Sequence, residues 1–443
     1  MDHPASPVTP ARRSPIGAIP DTVGAMLDLP SAMLGWSRRA GNEVERALAS
    51  HTPTRAMVAI PRTARFVGKT ALRRVREPVP GLPVPNVSPG LAAQVAIDEL
   101  ILAVAMGPNR FPRRSDYERV GAELAYARLL FEERGWIADP ASYHRDPPPL
   151  EDPAMAKGWA LGHSYERVLF PSEFTPRAEE PGADRWSGYE SNHTAVATVL
   201  RHRGAPRPWV VAVHGFGCGY PYMDLVGLHA LRMHRDLGLN VVLPVLPLHG
   251  PRKINRVSGE AFLTFDLVNT VHGLTQAVWD IRRVISWVRS QDPQGLALYG
   301  VSLGGYTVSL LAGLVDGIDA VIAGIPVVDF PAMFRSHSPG HIRLRAMEHE
   351  ILGGNAEAVH RVVSPLAVTP RVPRGRRFIY AGLGDRLATP TQAHALWRHW
   401  DEPVTHWYGG NHVGYLWSGS VGDFVASSLT RSGLSVGPPR VDE

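Results

Sequence analysis

Three observations predict an α/β architecture for this 443-residue chain. From about residue 168 onward, apolar strand-like runs alternate with helix-length segments. A serine flanked by glycines stands between one such run and a helix, and two later runs end in Gly-Asp and in Gly-Asn-His. Strands alternating with helices need parallel crossovers, so the expected core is a doubly wound, mostly parallel sheet with helices on both faces. A small cap insertion and a helical N-terminal extension complete the expected fold. The boundaries read as a basic, Pro- and Arg-rich extension over 1–90, a helical region over 91–165, the core over 166–430 with a cap at 329–376, and a tail over 431–443.

The extension carries twelve Lys/Arg against six Asp/Glu, so the formal net charge of +5 belongs to it and not to the core. Within it, Arg62, Arg65, Lys69, Arg73 and Arg74 interleave with Ile60, Phe66, Val67, Leu72 and Val75. One reading is an amphipathic segment lying on an anionic membrane surface. A solvated helix with its arginines in water fits the same pattern. Pro53, Pro61, Pro78, Pro80, Pro83 and Pro85 should break the region into short pieces. Charge alone does not support nucleic-acid binding, because no recognised module accompanies it.

Next, Ala92, Val95, Ala96, Leu100 and Ile101 share one helical face, and Tyr117 to Glu133 forms a second helical segment. The apolar run Leu100-Ile101-Leu102-Ala103-Val104-Ala105-Met106, preceded by Asp98 and Glu99, is too short for a membrane span and reads as a buried helix. Pro147-Pro148-Pro149 is a spacer. Residues 167–170 and 194–200 read as hairpin-like opening strands. Strands at 210–213, 241–246, 296–301, 320–328 and 378–381 follow, with helices near 223–235 and 275–289. Between Val328 and Phe378 lies an insertion of about fifty residues, long for a crossover. It reads as a small cap over the active site, with a surface excursion packed on the sheet edge as the alternative.

Chemistry concentrates at strand ends. Gly300-Val301-Ser302-Leu303-Gly304 follows the run Leu296-Ala297-Leu298-Tyr299 and precedes a helix, the context in which a sharp turn exposes a serine hydroxyl. The same spelling recurs at Gly433-Leu434-Ser435-Val436-Gly437, but in a polar tail with no strand before it, so Ser435 is discounted. Asp385 closes the run 377–384, and His412 follows the strand 404–408 and the loop Gly409-Gly410-Asn411. A serine hydroxyl needs an imidazole to take its proton, and a carboxylate fixes the tautomer of that imidazole. The run 209–213 leads into His214-Gly215-Phe216-Gly217, where the N–H of Phe216 would join that of Leu303 in facing an oxyanion. His214 is expected to orient this loop. His249 is read as a structural loop histidine or a border of the acyl site.

These motifs, over roughly 168–429, resemble the α/β-hydrolase superfamily in its esterase/lipase branch. The resemblance implies Ser302 as nucleophile, Asp385 as acid, His412 as base, and Phe216 and Leu303 as oxyanion donors. Asp329 is the alternative acid, because some lipases carry it at that strand end. The implied activity is cleavage of a carboxylic ester, of lipid-like or thioester type included, through an acyl-enzyme on a small-molecule substrate. A peptidase or acyltransferase of the same fold, or a noncatalytic membrane-associated binding protein, are the alternatives.

No cofactor or metal is expected. Gly215-Phe216-Gly217-Cys218-Gly219 misses dinucleotide-loop spacing, Thr63 replaces the first glycine of a phosphate loop before Gly68-Lys69-Thr70, and Glu348-His349-Glu350 lacks a second histidine at helical spacing. The single cysteine, Cys218, excludes an intramolecular disulfide. The N-terminus lacks a secretory pattern, so the expected location is cytoplasmic, with peripheral membrane attachment through the extension as the variant. The sequence leaves the oligomeric state open.

Overall fold

Among the described residues the chain forms nine strands: β1 (Ala154–Ala160), β2 (His163–Pro171), β3 (Thr194–Leu200), β4 (Trp209–Val213), β5 (Asn240–Pro244), β6 (Leu296–Val301), β7 (Ala320–Gly324), β8 (Arg377–Gly382) and β9 (Val404–Tyr408). The computed structural model describes residues 52–73, 79–105 and 114–435. One sheet takes all nine strands in the order β1-β2-β3-β5-β4-β6-β7-β8-β9. The first three strands and the β3–β5 pair are antiparallel, and every pairing from β5 to β9 is parallel. The parallel strands β4 to β8 are buried along their whole length, which explains their continuous Val, Ile, Ala and Leu content.

Strand order reverses at β4, which lies between β5 and β6 with Val213 opposite Gly300. Connections therefore leave in opposite directions at the carboxyl ends of β4 and β6, where open α/β sheets form their crevice. One face packs on the helices Leu267–Arg289, Leu303–Leu314 and Gly354–His360, and a separate apolar cluster with Leu225, Met233, Val421 and Val425 covers the other. The helix Leu267–Arg289 begins where the Asp266 carboxylate accepts from Asn269 N–H, satisfying one free donor of the first turn.

The structure corrects several sequence expectations. The sheet begins at β1, inside the stretch expected to be helical to residue 165, because the hairpin turn Leu161-Gly162, both at positive φ, folds β1 back on β2. The helix expected near 223–235 is two helices, Pro221–Gly227 and Ala230–Arg235, divided by left-handed His229. Pro61 lies inside one helix, Thr52–Arg73, and does not end it. Packing along the helix Pro89–Ala105 outweighs the lost N–H. On that first helix Arg65, Lys69 and Arg73 are exposed, as are Ile60 and Leu72. Residues 1–51 and 74–78 of the expected extension, Met106, and residues 436–443 of the tail lie outside the described residues. No described helix is long and apolar enough to cross a membrane.

The insertion forms the helices Phe330–His337, Gly340–Glu348 and Gly354–His360. The last of these packs against the helix Arg114–Glu133, joining the helical N-terminal region to the sheet's helical layer. Arg119 and Arg185 reinforce that join, both pairing with Glu123 and Asp266.

Burial pushes His144, His214, His229, His234 and His360 down to about 4. Their unfolded values lie near 6.5, so between these limits the unfolded chain binds protons that the folded chain refuses. The contribution to stability is complete above the unfolded value and is lost as pH falls toward the folded one. Buried Asp98 and Asp224, pushed up to about 7, act in the opposite sense but are fewer. The melting temperature should therefore fall clearly between pH 7.5 and pH 5 in a thermal-denaturation series, and a flat profile would contradict the balance.

Candidate active site

The turn between β6 and the helix Leu303–Leu314 holds Ser302 at φ 58° and ψ −112°, a conformation that costs a residue with a Cβ on the order of 1–3 kcal/mol. The glycines around it are steric requirements. A Cβ at Gly300 would lie 2.2 Å from Gly304 O, and one at Gly304 would lie 2.0 Å from Val213 O. Strand, turn and helix therefore approach one another too closely for any side chain at these two positions, and Ser302 is lifted partly clear of the sheet.

His412 lies just beyond β9, and its Nε2 is 3.1 Å from Ser302 Oγ. Its Nδ1 is 2.7 Å from Asp385 Oδ2. The other carboxylate oxygen of Asp385 accepts from Leu387 N–H and Ala388 N–H, both at 2.8 Å, so the acid is fixed at each end. Burial opposes charging the ring, but the charge and hydrogen bond of Asp385, with a further contribution from Asp98, outweigh it. The imidazole pKa accordingly lies above its ordinary value. The arrangement can draw a proton from the serine onto Nε2 while Nδ1–H donates to the carboxylate.

Phe216 sits at the second position of a turn closed by Cys218 N–H donating to Gly215 O at 3.3 Å, with Gly217 at φ 83° in the next position. The N–H of Phe216 is not used by that turn. Leu303 is the first residue of its helix, and its N–H is one of the four that a helix leaves unpaired within itself. The two loops meet closely, since a Cβ at Gly215 would stand 3.5 Å from Ser302 Cβ. His214 ties the β4 loop to the end of β5: its Nε2 accepts from Leu246 N–H at 3.1 Å, so Nδ1 carries the proton and donates to Gly215 O at 2.8 Å. Burial keeps this ring neutral. His249 is fully buried behind the loop, with ring centroids 5.2 Å from His214 and 5.9 Å from Phe216. Burial, and then Asp224, raise the Cys218 thiol above its ordinary pKa, which makes it a poor nucleophile.

Asp329 is elsewhere occupied. Its Oδ1 accepts from Ala332 N–H at 2.9 Å as the cap of the helix Phe330–His337. Ser435 follows the helix Gly419–Arg431 and Gly433 at φ 76°, the left-handed residue at that helix end.

Sequence reasoning missed the residues that hold the His412 loop. Asp98, on the helix Pro89–Ala105, is fully buried and accepts from His412 N–H, Arg386 N–H and Asn411 Nδ2 at 3.0, 2.9 and 2.9 Å. Gln94 accepts from Asn411 N–H at 3.2 Å, and Glu99 accepts from Arg386 Nε at 2.8 Å. The available signal was two acids set against the most apolar run of the chain, since a buried charge requires partners.

A sheet with this strand order and a strained serine at the turn after β6 is the α/β-hydrolase fold. No family model matches it. Two Mycobacterium tuberculosis proteins, the uncharacterized MT2702 and Rv2627c, are each 41% identical to it over 359 residues, covering 81% of this chain and 86% of theirs. The chain belongs to the family of these two proteins. Similar solved structures include the acetyl xylan esterase from Paenibacillus sp. R4, at 16% identity and a TM-score of 0.46 over 74% of this chain and 98% of that one. Another is the Pyrococcus horikoshii acylaminoacyl peptidase, at 13% identity and a TM-score of 0.38 over 66% and 42%. The fold assignment rests on the chain's own strand order and elbow.

Proposed function

We propose that the protein is a serine hydrolase that cleaves a carboxylic ester through an acyl-enzyme. The observation that carries this reading is the continuous set of contacts from Asp385 through His412 to Ser302, made at a strained strand-to-helix turn. Ser302 Oγ attacks the ester carbonyl as its proton passes to His412 Nε2. The oxyanion forms against Phe216 N–H and Leu303 N–H, and removing such a donor typically costs on the order of a hundredfold or more. Collapse expels the alcohol, which takes the proton from His412 and leaves an acyl group on Ser302. Water repeats the sequence and releases the acid.

A carboxypeptidase pocket would want a free cation for its substrate's C-terminal carboxylate, and two arginines are already committed: buried Arg252 to Asp280 at 2.8 Å, and Arg386 to Glu99. Phe216, with Tyr220 and Tyr222 stacked 5.7 Å apart nearby in sequence, favours an apolar acyl group. The test is a panel of p-nitrophenyl esters of rising chain length beside aminoacyl p-nitroanilides. Ester turnover with little anilide turnover supports the reading, and the reverse ranking would make the protein a peptidase.

A further inference from the structure

The helix Pro89–Ala105 lies outside the strand-and-helix alternation that builds the sheet, yet one of its faces grips both loops that carry the proton-handling residues. Leu91 and Val95 fill the space beside Gly384, where a Cβ would come within 2.6 Å of Leu91 Cδ1 and 3.3 Å of Val95 Cγ2. Gln94 and Asp98, one turn apart on this face, hold Asn411 and His412. Asp98 and Glu99 hold Arg386, the neighbour of Asp385. Asp98 Oδ2 also bridges the two loops, accepting from the backbone N–H of His412 and of Arg386.

We propose that Asp98 is a positioning residue for His412: it locks the His412 loop to the Asp385 loop and sets a second negative charge beside the imidazole. The inference rests on the reading of Ser302 and His412 as catalytic. Asp98 does not touch the reacting atoms. It acts by fixing the backbone from which His412 projects, and by favouring the imidazolium that forms when Ser302 gives up its proton. Other charged or titratable groups also face this centre. Asp385 and Arg386 come from the β8 loop, Glu99 from the same helix, and Arg62 from the helix Thr52–Arg73, 3.5 Å from Glu99. Tyr408 comes from β9 and His337 from the insertion, and both respond to Asp385. Burial, and then the charge of Asp385, push the Asp98 carboxyl up to about 7, against the pull of His412 and the two backbone N–H groups. Near neutrality the Asp98 carboxyl and the His412 ring therefore titrate together.

The sign follows from the charge. Removing the negative group lowers the pKa of His412, so the ascending limb of the pH–rate profile moves to lower pH even as the plateau falls. A loop that had merely loosened would lower the plateau without that displacement. The experiment compares full-length wild type with Asp98→Asn by NMR titration of the His412 ring and by kcat/KM for p-nitrophenyl acetate against pH. The expected result is a lowered His412 pKa, a limb displaced to lower pH, and a kcat reduced about tenfold or more with KM little changed. An unshifted ring pKa and limb would overturn the proposal. If Asp98→Asn does not fold, Asp98→Glu keeps the charge and disturbs only the hydrogen bonds. It should leave the limb in place and lower kcat, and a displaced limb or a wild-type kcat would overturn the proposal. If wild type hydrolyses no ester, the functional reading fails, and the coupling of Asp98 to His412 is then decided by the ring titration alone.

Discussion

Ser302→Ala should abolish labelling of the purified protein by a fluorophosphonate probe and lower ester turnover on the order of 10⁵-fold or more, because no other group in the site can form the acyl-enzyme. Peptide mass mapping of wild type should find the adduct on Ser302 and none on Ser435. Labelling that survives the substitution would place the nucleophile elsewhere. Absence of labelling in folded wild type would favour a noncatalytic binding protein. Backbone strain supplies a second readout on the same residue. Ser302 holds φ 58° and ψ −112° with a Cβ, and glycine adopts such a conformation without penalty. Ser302→Gly should therefore be as inactive as Ser302→Ala yet more stable than it by about 1 kcal/mol or more, measured by denaturant unfolding. Equal stability of the two variants would mean that the turn stores no strain.

The parts of the fold that could be read from sequence are those with a short-range cause. The buried parallel strands are continuous apolar runs because both faces are covered, and the elbow is a spelling because its two closest backbone approaches, at Gly300 and Gly304, exclude every side chain. Ser302, Asp385 and His412 were legible because each ends a strand at the same edge of one sheet. Elements decided by distant packing were not legible. Pro61 read as a breaker because the helix against which Thr52–Arg73 packs lies beyond an intervening proline-rich stretch, invisible to any local window. β1 carries none of the buried alternation that marks a strand, since nearly all of it is exposed at the sheet's edge, and only its pairing with β2 makes it one. Asp98 illustrates the same limit at the site. Its partners Arg386, Asn411 and His412 stand nearly three hundred residues away or more, and its own neighbours suggest only a buried helix.

The choice between Asp385 and Asp329 as the acid, open in the sequence, now has a sharp experimental form. In Asp385→Asn the backbone donors of Leu387 and Ala388 still require an oxygen at the position of Oδ1. The amide oxygen is held there, which turns the NH₂ toward His412 Nδ1. That nitrogen must then accept, so the proton moves to Nε2, the atom that has to receive the proton of Ser302. The tautomer is wrong for catalysis although every heavy atom keeps its place, and ester turnover should fall on the order of 10⁴-fold with the fold intact. Asp329→Asn meets no such constraint. Asparagine caps a helix about as well as aspartate does, so the bond to Ala332 N–H survives, and turnover and stability should stay within about twofold and about 0.5 kcal/mol of wild type. Paired kcat/KM and melting measurements decide between them, since a large loss in Asp329→Asn beside a mild one in Asp385→Asn would reverse the assignment of the acid. The contrast separates the two carboxylates by mechanism and not only by size of effect, because each prediction follows from which backbone N–H groups already claim the oxygens.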